Sequence, residues 1–357
     1  MSIKMKAALK EADGTFKIEQ VDRVKIPADD WVLARIKVSG ICGTDLWHWK
    51  KHEPDLECKI MGHEMSAVVV ETGPAVRNVK AGDRVVVETL LGDGTCDWCR
   101  VQQYNLCPNL YKVRMDTISR SFAEYVVGPS TKFHVLPDNV SDEEAALLDT
   151  FSVSLHAQKL SGLRINNKVA IIGAGPIGLA QLQLAKLSGA EVIVFDIVQS
   201  SLTLAKSLGA DRVVNLETED PQVCMKLFND GRGADLTFEC AGGESMTTTL
   251  PLAVSITRIG GKVIIVGGFE NGNTAMELNW QDLQKSEISL IPSASYGFWD
   301  IYPEMSICVE LLAKGKINAK KMITHTYPLD RINEAFETAQ NKKENGSSVR
   351  SLKDFVN

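Results

Sequence analysis

The segment Val169-Ala-Ile-Ile-Gly173-Ala-Gly175-Pro-Ile-Gly178 joins a short apolar run to a turn that contains three glycines. An apolar run of this length, followed directly by a glycine-rich turn, predicts a buried β-strand that leads into a helix. Gly173 permits the tight turn, and Gly175 lets the backbone approach a pyrophosphate. Gly178 permits close packing of the helix against the strand. We therefore expect a strand–turn–helix unit that binds a dinucleotide.

Three residues beside this turn strengthen that expectation. Pro176 lacks an N–H, but its fixed φ suits the first helical turn, and the N–H of Ile177 can point at phosphate oxygens. Asp196 ends the next predicted strand, eighteen positions after Gly178, where a carboxylate accepts hydrogen bonds from the adenosine ribose. Residues 197–199 include no arginine or lysine to hold a 2′-phosphate, which favours NAD over NADP. The alternative is a glycine-rich turn without a ligand.

Strands alternate with helices from Lys168 to about Ser295. Short apolar strands separated by helical segments indicate a parallel sheet that is covered on both faces. Gly267 is a further candidate for contact with the cofactor. The predicted strands are 169–172, 191–195, 235–239, 261–266 and 288–291, and the predicted helices are 177–188 and 201–208. Two amphipathic helices, at 305–313 and 329–340, precede a polar tail that starts at Lys342.

The first 150 residues or so follow a different pattern. β-branched runs at 32–38, 67–71 and 84–88 are short, and glycine and proline separate them. This pattern predicts a mostly β region whose functional residues lie on loops. At 357 residues the chain exceeds one ordinary hydrophobic core, so we expect two domains.

The composition excludes several classes of protein. The net charge of −6 argues against a nucleic-acid partner and against binding to an anionic membrane. No apolar stretch approaches the ~20 residues that cross a bilayer, and residues 1–6 lack the apolar core of a signal peptide. Cysteines are clustered at 96–107, whereas Cys58, Cys224, Cys240 and Cys308 are scattered and are expected to be small buried hydrophobic residues. This cysteine usage predicts a reducing cytoplasm.

Two sets of side chains have the chemistry of metal ligands. Cys42, His63 and Glu64 offer a thiolate, an imidazole and a carboxylate, and three protein ligands plus an open position suit a catalytic zinc. The fold must bring them together, because twenty-one positions separate Cys42 from His63. The other set predicts a closed structural zinc site, or else a reduced loop without metal; its members are Asp93, Cys96, Cys99 and Cys107.

These motifs resemble those of the zinc-containing medium-chain dehydrogenase/reductase family over essentially the whole chain. The matching pieces are Cys42-Gly-Thr-Asp45, Gly62-His-Glu64, Ala81-Gly-Asp-Arg-Val85, the cysteine lobe, Phe122-Ala-Glu-Tyr125 and the dinucleotide fingerprint. The resemblance implies an α/β protein with a GroES-like, β-rich catalytic domain at 1–153 and a structural-zinc lobe at about 90–110. It also implies a Rossmann NAD-binding domain with a doubly wound parallel sheet at 154–295, and a C-terminal return to the catalytic domain at 296–357.

The resemblance also assigns roles to residues near the metal. Asp149 stands where the sorbitol and threonine dehydrogenase branches usually have glutamate, so it is expected to bind the catalytic zinc directly or to hold a water on it. Thr44 is the candidate to take the hydroxyl proton, with a turn-capping role as the alternative. His48 is the candidate for the onward relay, because Trp47 occupies the position where many members have histidine.

The expected function is reversible oxidation of a secondary alcohol of a polyol, sugar alcohol or cyclitol to a ketone with NAD+. L-threonine 3-dehydrogenase and butanediol-type activities remain alternatives within the family, and a non-catalytic NADH-binding protein is the alternative from another class. Glu124, Trp47, Phe298 and Trp299 are candidates for the substrate pocket. The branch implies two zinc ions per chain, a homo-oligomer (tetramer or dimer), and neither a nucleic acid nor a membrane as partner.

Overall fold

The computed structural model describes residues 3–49, 51, 59–110, 120–268, 275–341 and 349–353. The strands are β1 Lys4–Lys10, β2 Phe16–Asp22, β3 Trp31–Gly40, β4 Met65–Thr72, β5 Arg84–Val87, β6 Tyr125–Pro129, β7 Phe133–Val135, β8 Lys168–Ile172, β9 Glu191–Asp196, β10 Arg212–Asn215, β11 Ala234–Glu239, β12 Thr257–Ile265, β13 Ser289–Pro292, β14 Phe298–Trp299, β15 Tyr302–Pro303, β16 Ile323–Pro328 and β17 Val349–Lys353. The helices are α1 Gly43–His48, α2 Asp97–Arg100, α3 Asp142–Ala145, α4 Leu148–Ser161, α5 Pro176–Leu187, α6 Gln199–Ser207, α7 Pro221–Phe228, α8 Met246–Ile256, α9 Trp280–Ser286, α10 Glu304–Ala313 and α11 Ile332–Gln340.

A six-stranded parallel sheet forms the centre of the second half of the chain. Its order is β10-β9-β8-β11-β12-β13, which in sequence order is the 3-2-1-4-5-6 arrangement of dinucleotide-binding folds. Val169 and Ile171 of β8 pack into a core that includes residues of α4 and α5. Ala170 and Ile172 of the same strand pack into a separate core that includes residues of α7 and α8. Both faces of the sheet are therefore covered, and the predicted doubly wound parallel sheet is confirmed.

A seven-stranded sheet forms the body of the first half. Its order is β16-β17-β3-β4-β5-β7, with β6 also paired to β3, and every pairing is antiparallel except β16 with β17. The last described strand therefore pairs with the N-terminal sheet, where Ser351 lies opposite Gly40. The predicted domain boundaries, at 153/154 and at 295/296, stay predictions.

Several element boundaries differ from expectation. The predicted helix at 329–340 begins only at Ile332, because Leu329–Arg331 after Pro328 form a 3-10 turn. Strand β12 begins at Thr257 rather than at Gly261, immediately after α8. β10, α7 and α8 were not predicted. Helix α7 did carry a local signal: the Asp220 side chain accepts the N–H groups of the first turn, and Pro221 is the first helical residue.

Further expectations concern the scattered cysteines, the polar tail and segments that could cross a membrane. Cys224, Cys240 and Cys308 are free and buried, as predicted, whereas Cys58 and most of the tail from Lys342 lie outside the described residues. Within the ranges given above, no helix combines the length and the apolar character needed to cross a bilayer.

Candidate active site

The pairing of β3 with β4 brings the predicted metal ligands together. Ser39 near the end of β3 lies opposite Met65 at the start of β4. Cys42 lies two positions after Gly40, the last residue of β3, and His63 and Glu64 immediately precede Met65, the first residue of β4. One ligand atom from each of these three residues lies within 4.8 Å of the other two. The antiparallel pairing of β3 with β4 thus brings Cys42 and His63 together, although twenty-one positions separate them in the sequence.

Two glycines allow Glu64 and its neighbours to approach the strand ends. A Cβ atom at position 40 would lie 2.1 Å from Oε2 of Glu64, so only glycine fits beside that carboxylate. Gly62 has φ +87°, and a Cβ there would also lie 2.2 Å from Oγ of Ser121. The backbone N–H of Gly40 donates to the carbonyl oxygen of Glu64 (2.9 Å). The end of β3 therefore binds the main chain of Glu64, and the absence of a side chain at Gly40 leaves room for its carboxylate.

Asp45 is a functional residue that we did not predict. It is 3% exposed. Its Oδ2 accepts the backbone N–H of Cys42 (3.0 Å), and its Oδ1 lies 3.5 Å from Nδ1 of His63. A carboxylate behind an imidazole fixes the ring orientation and the tautomer of a metal-ligating histidine. The signal in the sequence was an acidic residue at the third position of the helix that follows Cys42.

The electrostatics of the cluster fit a divalent cation. Burial, followed by the charge of Glu64, raises the pKa of the Cys42 thiol. Burial alone would lower the pKa of His63, but Asp45 and Cys42 raise it well above its ordinary value. Burial raises the pKa of Glu64 to about 8, with Asp149 and Asp45 adding to the rise and His63 opposing it. Such a cluster binds protons until a cation replaces them, and its sulfur, nitrogen and oxygen donors suit zinc.

Asp149 lies next to the cluster but is not one of its members. In the described part of the chain, the group with ligand atoms within 4.8 Å contains Cys42, His63 and Glu64 alone at this site. Asp149 is 7% exposed, and Oδ1 accepts a hydrogen bond from the Tyr296 hydroxyl (2.5 Å). Direct binding of zinc by Asp149 stays a prediction, as does its water-holding alternative.

Thr150 and Tyr296 are further residues that we did not anticipate. The Thr150 hydroxyl donates to Oε1 of Glu64 (3.1 Å), and Tyr296 is buried at 1% exposure. Neither residue carries a local signal, because 86 positions separate Thr150 from Glu64 and 147 separate Tyr296 from Asp149.

The two candidate proton carriers lie on α1. Oγ1 of Thr44 is 3.9 Å from Sγ of Cys42, and the side chain is exposed. His48 follows four positions later, on the same face of the helix, and its ring packs edge-on against Trp47 with centroids 4.3 Å apart. The roles of Thr44 and His48 stay predictions.

The predicted structural lobe also gathers its four side chains. Ligand atoms of Asp93, Cys96, Cys99 and Cys107 lie within 4.8 Å of one another. Helix α2 starts directly after Cys96, and Sγ of Cys96 lies 3.5 Å from the backbone N of Cys99, which donates to it. Gly92 is needed here, because a Cβ atom at that position would lie 2.4 Å from Sγ of Cys99.

Asp93 is held in place as a carboxylate. Hydrogen bonds from Asn109, and then from the N–H groups of Cys96 and Thr95, lower its pKa well below the ordinary value. The Asn109 amide donates to Oδ2 (2.7 Å), while the two N–H groups donate to Oδ1. Burial, together with neighbouring thiols, raises the pKa of Cys99 to about 12. One fixed carboxylate and three cysteine sulfurs form a donor set that a zinc ion fits.

The glycine turn after β8 has the tight geometry that its sequence predicts. Gly173 has φ +97°, and a Cβ atom there would lie 2.8 Å from the backbone nitrogen of Ala241. A Cβ on Gly178 would lie 1.8 Å from the carbonyl oxygen of Gly173. Gly175 caps α5, whose first residues are Pro176 and Ile177. The N-terminus of a twelve-residue helix therefore faces the turn, as pyrophosphate binding requires.

Asp196 at the end of β9 is bonded to the same turn. Its Oδ2 accepts the N–H of Ala174 (2.5 Å), and its Oδ1 accepts the N–H of Val198 (2.7 Å). Each carboxylate oxygen keeps a second lone pair, so these bonds leave acceptors for ribose hydroxyls. Asp196 thus fixes the glycine turn, in addition to its predicted contact with the ribose.

Gly267 follows β12 and lies against Glu239, another residue that we did not predict. Its N–H donates to the carbonyl oxygen of Glu239 (2.9 Å), and a Cβ on Gly267 would lie 2.5 Å from Oε2 of Glu239. Oε1 of Glu239 accepts from Ala241 and Thr249. Burial raises the pKa of Glu239, which joins the loops after β11 and β12.

Some of the residues predicted to line the substrate pocket make contacts elsewhere than at the cluster of Cys42, His63 and Glu64. Oε2 of Glu124 accepts the backbone N–H of Lys6 in β1 (3.2 Å). Phe298 packs edge-on against Tyr104 of the lobe, with centroids 6.1 Å apart. The aromatic face of Trp47 lies 4.1 Å from Nζ of Lys51. Trp47 lies on α1, the helix that Cys42 caps.

Comparison with known protein families gives two matches. The sequence model of the alcohol dehydrogenase GroES-like domain matches residues 28–138, and that of the zinc-binding dehydrogenase family matches residues 176–311. The first match contains β3 to β7 of the seven-stranded sheet, and the second contains β9 to β13 of the six-stranded sheet. Both matches agree with the predicted fold class.

Individual relatives align over most of the chain. D-arabitol-phosphate dehydrogenase of Enterococcus avium is 37% identical, covering 94% of this chain and 95% of that protein. Sorbitol dehydrogenase of Ovis aries is 32% identical, covering 88% and 87%. A protein of Sinorhizobium meliloti 1021, described as a zinc-binding dehydrogenase and solved with bound NADP, superimposes with a TM-score of 0.85 at 28% identity, covering 99% and 100%.

Proposed function

Because the chain belongs to the zinc-containing medium-chain dehydrogenase/reductase family, in its polyol dehydrogenase-like branch, we propose that it oxidises a secondary alcohol of a polyol, sugar alcohol or cyclitol with NAD+. The observation that carries this proposal is the cluster of Cys42, His63 and Glu64, which offers three different donor types at one point. A zinc ion bound by these residues would lower the pKa of the substrate hydroxyl, and NAD+ in the crevice beside the glycine turn would accept the hydride.

The protein's own residues then have separate tasks. Asp45 orients the imidazole of His63, and Thr150 holds the carboxylate of Glu64. Thr44 takes the hydroxyl proton, because a hydroxyl group can accept one hydrogen bond while donating another. His48, on the same face of α1, passes that proton to solvent. Asp149 completes the metal site, directly or through a water.

Substrate identity is tested by a panel of alcohols. The relatives are named for sorbitol and for D-arabitol phosphate, so both a free and a phosphorylated polyol belong in the panel. Sorbitol, D-arabitol, D-arabitol phosphate, myo-inositol, 2,3-butanediol and L-threonine are each incubated with NAD+ and with NADP+, and absorbance at 340 nm is followed. Reduction of NAD+ by a polyol supports the proposal. Turnover of L-threonine alone supports its rival, and NADH binding without turnover of any alcohol supports a non-catalytic protein.

The preference for NAD over NADP rests on Asp196, so replacement of this residue should change the KM for both cofactors. Asp196→Ala is expected to raise KM for NAD+ by roughly 10- to 100-fold, because bonds to the ribose and to the turn are both lost. The discrimination against NADP+ should shrink, because a carboxylate no longer repels the 2′-phosphate. Steady-state kinetics with both cofactors measure these effects.

Asp211→Ala is the matched control for that variant. Like Asp196, Asp211 accepts a backbone N–H on its carboxylate, but the donor is Val192 near the start of β9 (2.6 Å to Oδ2). We expect Asp211→Ala to leave KM for NAD+ unchanged. An unchanged KM in Asp196→Ala as well would remove Asp196 from the cofactor site.

The lobe carries a second metal prediction. Asp93→Ala is expected to reduce the zinc content from about two ions per chain to about one, because only three of the four candidate ligands then remain. We expect the Tm to fall by roughly 5 °C or more while kcat is retained in freshly prepared enzyme. Metal analysis and calorimetry test this result.

Asp97→Ala serves as the control on the same lobe, since the Asp97 side chain is 98% exposed. It should keep both ions. Full zinc content in Asp93→Ala would show that the carboxylate is not a ligand.

The homo-oligomer and the cytoplasmic setting stay predictions. Two observations support the oligomer: β13 is the last strand of the six-stranded sheet, and Ile259 of β12 and Trp280 of α9 are exposed at 73% and 75%. Exposed apolar residues of this size are typical of surfaces that another chain covers.

A further inference from the structure

Glu239 is the last residue of β11, at the edge of the parallel sheet where the strands end, and it is 0% exposed. Its strand is the neighbour of β8, and the strand order changes direction between these two strands. A dinucleotide crosses the sheet edge at such a point. Because the glycine turn after β8 is assigned to the pyrophosphate and Asp196 to the adenosine ribose, the nicotinamide half of NAD belongs beside the loops after β11 and β12.

These two loops and the glycine turn contact one another through their backbones. A Cβ atom on Gly173 would lie 2.8 Å from the backbone nitrogen of Ala241, so the loop after β11 lies directly against the turn. The N–H of Gly243 in this loop donates to the carbonyl oxygen of Gly268 in the loop after β12 (2.8 Å). A shift of either loop would therefore change the shape of the crevice.

Glu239 binds both loops, with its main chain and with its side chain. Its carbonyl oxygen accepts the N–H groups of Val266 and Gly267 after β12 (both 2.9 Å). Its Oε1 accepts the N–H of Ala241 after β11 (3.1 Å) and the hydroxyl of Thr249 in α8 (2.8 Å). One residue thus connects two loops and a helix at the edge of the crevice.

The other carboxylate oxygen of Glu239 is buried without a partner. Oε2 accepts no hydrogen bond from the residues that the structure describes. It lies against Gly267, where a Cβ atom would be 2.5 Å away, so the loop after β12 can approach it only as glycine. A buried acceptor without a partner costs stability, and an apolar side chain would fill this space without that cost. A carboxylate here therefore indicates a task beyond filling the core.

We propose that Glu239 is a positioning residue that holds the loops after β11 and β12 in the arrangement that receives the nicotinamide half of NAD. This inference rests on the proposed function, because it requires the cofactor to bind in the crevice beside the glycine turn. Glu239 acts through the backbone of the two loops and does not touch the cofactor in this assignment. The alternative is that Glu239 only stabilises its domain as a whole.

The variant Glu239→Met separates these two roles, because methionine fills a similar volume and offers no strong acceptor to Ala241 or Thr249. If the loops then occupy the binding arrangement for about a tenth of the time, the Kd for NADH rises about tenfold. ADP carries the adenosine half and two phosphates but no nicotinamide nucleoside, so its Kd should stay within about twofold. Calorimetric titrations with NADH and with ADP measure the two values. Equal weakening of both would show a general structural role, and an unchanged Kd for NADH would also overturn the inference.

Thr249→Val is the milder variant, and it decides the question if Glu239→Met does not fold. Valine has nearly the shape of threonine, so the substitution removes only the hydroxyl that donates to Glu239. We expect the Kd for NADH to rise roughly threefold while the Kd for ADP is unchanged, because the carboxylate loses one of the groups that fix it. In that case, the absence of a selective loss of NADH affinity would refute the role of Glu239.

Thr248→Val is the matched control on the same helix. The hydroxyl groups of Thr248 and Thr249 both donate to the carbonyl oxygen of Ser245 (2.9 and 3.0 Å). Of these two hydroxyl groups, that of Thr249 is the one that also donates to Glu239. Thr248→Val should therefore leave both Kd values unchanged. If the two threonine variants weaken NADH binding equally, the effect comes from the helix and the inference fails.

Failure of the proposed function looks different. An unmodified protein that binds neither NADH nor ADP would lack the cofactor site itself. Normal binding of both by the unmodified protein, together with an insensitive Glu239→Met, removes only the role of Glu239.

Discussion

Cys42→Ala is expected to lower kcat by about 10³- to 10⁴-fold while the affinity for NADH stays within about twofold of the original. A metal Lewis acid supplies several kcal/mol of charge stabilisation in the transition state, and each 1.36 kcal/mol corresponds to a factor of about ten in rate. Removal of the thiolate leaves only His63 and Glu64 in the cluster, which is too few protein ligands for a catalytic zinc. The cofactor crevice is built by other elements, namely β8, α5 and β9, so NADH should still bind.

Three measurements on this variant belong together. Steady-state turnover gives kcat, fluorescence titration gives the Kd for NADH, and metal analysis should show that one of the two ions is lost. Cys224→Ala is the control, because Cys224 is a free, buried cysteine that lies in α7 outside both clusters. Substantial turnover in Cys42→Ala would contradict the proposed metal chemistry.

Local patterns predicted the parts of the site that lie within a short segment. The turn from Gly173 to Gly178 was predicted because its geometry depends on residues that are neighbours in sequence. The four side chains of the lobe were predicted for the same reason, since they lie within fifteen positions, from Asp93 to Cys107. The structure brings all four together, as their spacing indicated.

The supporting contacts of the catalytic cluster were not predictable in this way. Tyr296 meets Asp149 only because α4 and the segment after β13 pack together, and no residue pattern near either position encodes that contact. The role of Asp45 had a partial signal in the sequence, since Asp45 lies three positions after Cys42 in the motif quoted above. Its role required the distance to His63, which depends on the register of β3 with β4.

Gly178→Ala is expected to abolish useful dinucleotide binding and to destabilise the fold by roughly 2–3 kcal/mol. The added Cβ would lie 1.8 Å from the carbonyl oxygen of Gly173, a distance that no real Cβ contact shows. The clashing atom belongs to the backbone of the tight turn, so no side-chain rotation can relieve it. The added methyl group overpacks the contact between α5 and the turn, so α5 must shift relative to β8. This shift opens the turn that faces the pyrophosphate.

The two effects of Gly178→Ala are measured separately, by thermal unfolding and by fluorescence titration with NADH, whose Kd should rise by about 100-fold or more. Gly43→Ala is the matched control, because a Cβ at that position of α1 meets no atom within 4 Å. Alanine also suits a helix better than glycine, so this control should keep both the Tm and the NADH affinity. If Gly178→Ala bound NADH as tightly as the original protein, the glycine turn would not be the pyrophosphate site, because its geometry could not have survived the substitution.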